Sequence, residues 1–183
     1  MNSDCGKNDL LEIILSAKPS VLKPLKMIAT DIKNKKHQLL AINEVALLRQ
    51  NNQAAKIEIN INGKTRIETL AADGILVATS AGSTAYNLSV RGPIIPFASD
   101  IIAITPISPF RPRHWRGALL PADSKIKFTI LDQKSRPVSA TADYNEIRDV
   151  VEVEVFEDKK HQFTILFDEN HSLEERILRE QFL

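Results

Sequence analysis

Residues 79 to 87 read TSAGSTAYN, seven small or hydroxyl residues ahead of one tyrosine and one asparagine. Such a run lets a planar or phosphorylated ligand reach backbone N–H groups, and the start of a helix there favours negative charge. Tyr86 adds a ring face for stacking and a hydroxyl. The spacing excludes several chemistries. No lysine follows the glycine as in a phosphate-binding loop of the Walker type, and the glycines do not fit a Rossmann fingerprint. "AGS" is not a Gly-x-Ser-x-Gly elbow, so nucleophilic serine catalysis is not expected. The plain alternative is a solvated loop with a helix cap.

Two other places put polar groups where apolar ones dominate. Asn43 and Glu44 interrupt the apolar run QLLAINEVALLR. They are either a strand end reaching solvent or a pair that meets a ligand's hydroxyls, because an unpaired buried carboxylate is costly. Asp73 stands before Gly74 and the apolar run ILVAT. It is either part of an ordinary Asp-Gly turn or a carboxylate aimed at a ligand. The segment FRPRHWRG gathers Arg111, Arg113, His114 and Arg116 around Trp115, which suits nucleic acid, a phosphate contact or an intersubunit loop. The near balance of 24 Lys plus Arg against 23 Asp plus Glu argues against nucleic acid and against a membrane surface. His37, His114, His161 and His171 sit in turn-like or terminal segments and read as surface residues. No metal site built from protein side chains is expected.

The elements that must position these residues are mostly strands. Apolar residues make up 43% of the 183-residue chain, enough for a sizeable core. NDLLEIILSAK reads as a short helix, with Asn8 or Asp9 as its cap and Pro19 as its stop. Nine or ten strands follow. Ile57, Ile59 and Ile61 alternate with polar residues, and "NGK" at 62 to 64 marks a hairpin. NKKHQ reads as a polar turn, and GSTAYNLSV as a helix starting near Gly82 with Ser83 or Thr84 at its cap. VVEVEVFED alternates, with Val151, Val153 and Val155 facing inward. HSLEERILREQF closes the chain as a helix, with Leu173, Ile177 and Leu178 on one side. The fold expected is therefore an all-β body with two short helices. The single cysteine, Cys5, cannot make an internal disulfide and suits a reducing cytoplasm. No apolar stretch approaches the ~20 residues that span a bilayer, and no secretory signal opens the chain.

Taken together, INEVALLR, AADGILVATSAGSTAYNLSVRGPIIP and SATADYNEI resemble the C-terminal part of the bacterial NAD kinase family, and SPFRPRHWRGALLP and SLEERILREQF resemble its alphaproteobacterial type. The resemblance implies a mainly β fold, the all-β C-terminal domain of that family, with short terminal helices left over from an N-terminal α/β domain. It divides the chain into residues 1–20 from that first domain, 21–163 as the dinucleotide-binding β domain, and 164–183 returning to the first domain. The family's GGDG motif, whose aspartate is the usual candidate base, is absent from these 183 residues. No catalytic residue is therefore assigned, and the chain is expected to be a truncation or a degenerate homologue.

The resemblance also implies an activity: ATP-dependent phosphorylation of the adenosine ribose 2′-hydroxyl of NAD to give NADP. The alternative is a non-catalytic dinucleotide-binding β domain. By the same resemblance Asn43 and Glu44 hold ribose hydroxyls and the adenine edge, and Asp73 lies beside the nicotinamide end. Thr84, Ala85 and Tyr86 line the adenosine, and Ser89 is a nearby hydroxyl. "TSA" at 79 to 81 replaces the commoner Thr-Pro-Thr or Thr-Pro-Ser, so Ala81 lacks a hydroxyl. Tyr144 follows Asp143 where many relatives carry histidine. NAD and ATP are the implied ligands, with Mg²⁺ riding on the nucleotide phosphates. A cytoplasmic homo-oligomer, dimer or tetramer, is implied, with no nucleic-acid or membrane partner.

Overall fold

Residues 10–97, 99–167 and 173–182 are described by the computed structural model. Two six-stranded antiparallel sheets face each other across one core. The first holds β2 (Leu25–Asp31), β3 (Lys36–Ala41), β5 (Ala55–Ile61), β6 (Lys64–Ala72), β10 (Ile126–Leu131) and β13 (Val150–Glu157), in the order β3-β2-β13-β10-β5-β6. The second holds β4 (Glu44–Arg49), β7 (Gly74–Ala78), β8 (Ile101–Ile107), β9 (Ala118–Pro121), β11 (Val138–Ala142) and β12 (Asn145–Ile147), in the order β12-β11-β4-β7-β8-β9. A separate two-stranded sheet pairs β1 (Lys18–Leu22) with β14 (Phe163–Phe167). Three short helices complete the described chain: α1 (Leu10–Ser16), α2 (Tyr86–Ser89) and α3 (Leu173–Glu180). A 3-10 turn, Ala81–Thr84, precedes α2. None of these helices is long and apolar enough to cross a membrane.

The alternating sequences build the first sheet as expected. β2, β5 and β10 bury every second residue. Met27, Ile57, Ile59, Phe128 and Ile126 from these strands meet Leu47, Ile75 and Ile104 of the second sheet. The hairpin at 62 to 64 is present, with Asn62 at φ 52° and Gly63 at φ 79°. That conformation suits the Asn-Gly pair that joins two strands by a tight turn.

Four expectations are corrected. The described chain has fourteen strands rather than nine or ten. QLLAINEVALLR forms two strands in different sheets, and β1, β9 and β12 are short pieces with weak periodicity. Pro19 does not stop a helix directly but lies inside β1, tolerated because a two-stranded sheet has only edges. The turn expected over NKKHQ ends early, for β3 already begins at Lys36. In β13, Val150 is buried in place of Val151, while Val153 and Val155 face inward as expected. A register shift between Val150 and Glu152 is the reason, since one extra residue in a strand turns its neighbours to the other face.

The closing helix packs where the site begins. Ile177 of α3 is buried with Leu22, against Ile42, Ala81, Ile94, Phe97 and Phe167. Cys5, the cap residues Asn8 and Asp9, and His171 lie outside the described residues.

Candidate functional site

The chain passes from the first sheet to the second at two of the places singled out by their polarity. β3 ends at Ala41 and β4 begins at Glu44, so Ile42 and Asn43 carry one crossover. β6 ends at Ala72 and β7 begins at Gly74, so Asp73 carries another. A strand that leaves its sheet loses ladder partners, and polar side chains there can serve the orphaned backbone or a ligand. β4 and β7 are neighbours, with Glu44 opposite Ala78 and Leu48 opposite Gly74. The two crossovers therefore lie at opposite ends of one ladder. From Glu44 to Arg49 the strand runs roughly 17 Å at about 3.4 Å per residue.

Side-chain alternation decides which face carries the site. Val45 and Leu47 enter the main core, whereas Ala46 packs outward with Leu76, Ala78 and Ile107 under Tyr86 and Val90. Glu44 shares the parity of Ala46 and so faces α2. Burial raises the Tyr86 hydroxyl above its ordinary range, and the negative charges of Glu44 and then Asp73 add to it. Tyr86 thus lies in the field of both carboxylates. Glu44 and Tyr86 are brought to one face of the second sheet, and the Asp73 charge reaches Tyr86 from the other end of the β4–β7 ladder.

Glu44 carries the least satisfied polar atom of the site. Its Oε2 is buried and accepts no hydrogen bond, the only such side-chain atom among the described residues. Burial, and then the neighbouring Asp143 carboxylate, push the Glu44 carboxyl up to about 7. The consequence for stability has a definite sign. A proton held more tightly by the folded chain than by the unfolded one stabilises the fold at low pH. That contribution is complete below about 4.5, declines as the pH rises and is gone above about 7. Glu44→Gln keeps the shape and removes the titration. Urea unfolding at about pH 5 and about pH 8 is expected to show wild type losing more stability than E44Q between the two. An equal response in both proteins would contradict the raised carboxyl.

Asp73 is less free than its position suggested. Arg49 Nε donates to its Oδ1 at 2.5 Å, and its backbone carbonyl accepts from the Arg49 N–H at 2.9 Å. Gly74 beside it is required by space, because a Cβ there would stand 2.1 Å from the Leu47 carbonyl oxygen. Thr84 and Ala85 are half-buried. Ser89 is exposed at the end of α2, its hydroxyl donating to the Ala85 carbonyl at 3.5 Å. It borders a cavity of about 370 Å³ shared with Arg91, Ser108, Trp115 and Arg116. Arg111 and Arg113 sit over the Phe110 ring at 5.5 and 5.2 Å, and the Arg111 backbone is tied to Ala71 near Asp73.

The small residues of TSAGSTAYN serve the fold more than expected. Thr79 N–H donates to the Asn43 carbonyl at 2.9 Å, and its hydroxyl donates to the Ile42 carbonyl at 2.7 Å. Gly82 packs on the Asn43 backbone. Ser83 is fully buried, donating to the Ser80 carbonyl at 2.7 Å and accepting from the Ile95 N–H at 3.1 Å. Asn87, also fully buried, donates to the Pro93 carbonyl at 2.8 Å and accepts from the Thr105 hydroxyl at 2.7 Å. Neither Ser83 nor Thr84 caps a helix. The segment is a 3-10 turn and a single turn of α-helix, separated at Ala85 with φ −97° and ψ −124°, and no side chain caps either piece. The Ser83 hydroxyl is occupied inside the molecule instead.

One histidine differs from the surface residues expected: His37 is half-buried, and its Nε2 meets Asp31 at 2.9 Å. His161 is exposed as expected, and its Nδ1 bonds to the buried Asp158. Each is a pair, and no group of three or more His, Cys, Asp or Glu converges as a metal site among the described residues. Asp143 is the residue at the first crossover that pattern reading passed over. Its carboxylate accepts the N–H groups of Ile42, Asn43 and Glu44 at 2.7, 2.9 and 3.2 Å. Tyr144 next to it is 91% exposed.

With this geometry in view, the likenesses to known proteins are consistent. The NAD kinase of Xylella fastidiosa (strain 9a5c) is 55% identical over 175 residues, which are 96% of this chain and 68% of that protein. The NAD kinase of Caulobacter vibrioides is 53% identical over 180 residues, 98% of this chain and 69% of that protein. The crystal structure of yeast NADH kinase complexed with NADH superposes with a TM-score of 0.79 at 26% identity, over 91% of this chain and 49% of that one. An NAD kinase from Archaeoglobus fulgidus in complex with ATP gives a TM-score of 0.71 at 20% identity over 89% of this chain, a likeness of fold. This chain spans 49% and 60% of the lengths of those two solved proteins. The profile of the ATP-NAD kinase C-terminal domain matches residues 42–165, from the first crossover to β14, and the chain belongs to that family.

Proposed function

We propose that the face of the second sheet between Glu44 and Asp73 binds NAD, and that the protein containing it phosphorylates the adenosine ribose 2′-hydroxyl with ATP. The observation that carries this reading is Glu44 Oε2, a buried carboxyl oxygen without a partner on a face built from two sheet crossovers. Such an atom is costly unless a ligand completes it. In this reading Asn43 and Glu44 receive the adenosine ribose, since Glu accepts from or donates to hydroxyls and Asn does both. The Tyr86 ring stacks on the ligand, Thr84 and Ala85 line it, Ser89 offers an outer hydroxyl, and Asp73 marks the nicotinamide end. The roughly 17 Å between the two ends leaves room for a two-headed ligand.

The chain's own contribution to the chemistry would be orientation. Holding the ribose hydroxyl in one direction converts an encounter into a positioned reaction. Mg²⁺, carried on the ATP phosphates, would supply charge neutralisation during phosphoryl transfer. Residues 1–20 and 164–183 are read as belonging with an α/β first domain and 21–163 as the β domain. The exposed apolar side chains of Leu11, Ile14 and Leu15 on α1, and of Ile165 and Leu166 on β14, support that division. A cytoplasmic dimer or tetramer is part of the same proposal.

Glu44→Ala is expected to weaken NAD binding by about 1–3 kcal/mol, the scale of hydrogen bonds to a charged or buried carboxyl. Isothermal titration with NAD, on protein whose circular dichroism matches wild type, checks it. An unchanged dissociation constant refutes the placement of the ribose at Glu44.

A further inference from the structure

We propose that Asp143 is the positioning residue of the site: its carboxylate holds three successive backbone N–H groups of the first crossover and so fixes how Asn43 and Glu44 enter the binding face. The need arises from the topology. Ile42 and Asn43 lie between β3 and β4, outside both ladders, and Glu44 is the first residue of β4. Their N–H groups point to one spot, and Asp143 fills it. Oδ2 accepts from Ile42 at 2.7 Å, and Oδ1 accepts from Asn43 at 2.9 Å and from Glu44 at 3.2 Å. The Asp143 N–H in turn donates to the Glu44 carbonyl at 3.1 Å. Successive N–H groups of this kind usually cradle an anion from outside. Here the anion comes from the chain itself, about a hundred residues away.

Local geometry suits the role. Asp143 starts the connection between β11 and β12 with φ 50°, a left-handed conformation that Asp and Asn adopt more readily than other non-glycine residues. Its side chain is thereby turned back over the crossover, while Tyr144 stands out in solvent. On the opposite side, Thr79 grips the carbonyls of Ile42 and Asn43. The turn is held through its N–H groups by Asp143 and through its carbonyls by Thr79.

The same carboxylate acts on Glu44 by charge. The groups that face Glu44 are Asp143 from the β11–β12 turn and Tyr86 from α2, with the Asp73–Arg49 pair farther along the ladder. A negative Asp143 favours the protonated form of Glu44, as burial does. Asp143 therefore helps to set whether Glu44 donates or accepts a hydrogen bond.

The inference rests on the NAD-binding reading for its functional weight, but its test does not. In the 183-residue chain, Asp143→Asn keeps the backbone preference and one acceptor oxygen while removing the charge. Asp143→Ala removes both. With ¹³C-carboxyl-labelled glutamate, the Glu44 titration midpoint is expected to fall by roughly half a unit or more in both variants. Amide exchange at Ile42, Asn43 and Glu44 is expected to quicken roughly tenfold in D143A, the effect of losing one hydrogen bond or more. Calorimetry with NAD as the probe should show weaker binding in D143A and, in D143N, a pH profile that moves with the Glu44 midpoint. A purely structural Asp143 would leave the D143N midpoint where it is in wild type, and that result overturns the proposal. If D143A does not fold, D143N alone decides. If wild type binds no NAD, the functional reading fails while the titration still judges Asp143.

Discussion

At saturating ATP, Mg²⁺ and NAD, the 183-residue chain by itself is expected to form NADP at least about 10²-fold more slowly than a chimera that restores a family first domain. The chimera joins this chain to the part of the Xylella fastidiosa NAD kinase that it does not match, since the match covers 68% of that protein. The reason lies in what the carboxylates around the candidate site are already doing. Asp143 is committed to three backbone N–H groups. Asp73 is paired with Arg49 and stands at the far end of the β4–β7 ladder from Glu44. Glu44 is held toward its protonated form. In the proposed binding mode none of the three is an unengaged, fully ionised carboxylate, and the GGDG motif, whose aspartate the resemblance implies as the candidate base, is absent from these residues. A positioned general base is worth about 10²–10⁴ in rate, and a missing wall of the ATP cleft would add to the loss. Comparable turnover by the chain alone would mean that one of these carboxylates does the work. Glu44 would be the first to examine, because its value of about 7 suits a base at neutral pH. An inactive chimera, with NAD still bound by the chain, would favour a dinucleotide-binding domain without catalysis.

The site was partly legible in the sequence, and its parts were legible for different reasons. Asn43, Glu44 and Asp73 stood out because polar residues interrupt apolar runs. That they mark passages between two sheets depends on pairings such as Glu44 with Ala78 and Leu25 with Ala41, which local periodicity does not encode. Asp143 was hidden for the same reason. Its partners are about a hundred residues distant, and SATADYNEI, though it resembles the family, carries no local sign of what the Asp143 carboxylate meets. In TSAGSTAYN the residue types were informative but their direction was not. Thr79, Ser83 and Asn87 looked like a surface for a ligand, yet they turn inward because crossing backbones need polar partners. Thr84, Ala85 and Tyr86 are only half-buried and, with the exposed Ser89 just beyond the run, remain open to a ligand. Strand periodicity placed β5 well, because that strand buries a single face. It misplaced Val151, since one extra residue at a bulge reverses the pattern without changing composition.

Gly82→Ala should then be among the most damaging single-methyl changes in the chain. A Cβ at Gly82 would stand 2.2 Å from the Asn43 carbonyl oxygen, 2.5 Å from its carbon and 2.7 Å from the Asn43 Cα. All three are backbone atoms, so no side chain can swing away. The Asn43 backbone cannot retreat easily either. Thr79 bonds to its carbonyl oxygen from the side of the 3-10 turn, and Asp143 bonds to its N–H from the other. Movement of Gly82 itself would loosen its N–H bond to the Thr79 hydroxyl, now 3.1 Å. Overpacking against a fixed backbone costs about 3 kcal/mol, the upper part of the usual range. For a chain of this size that lowers the melting temperature by roughly 6–12 °C. Gly63→Ala provides the contrast. Its Cβ would meet nothing within 4 Å, but Gly63 holds φ 79°. Only the left-handed conformation penalises that change, by about 1–2 kcal/mol. Thermal melts of the two variants should therefore rank G82A well below G63A. NAD binding should fall only in G82A, because the displaced backbone carries Asn43 and Glu44. A G82A protein that melts with wild type and binds NAD equally would show that the small residues of this segment are not there to let two backbones touch.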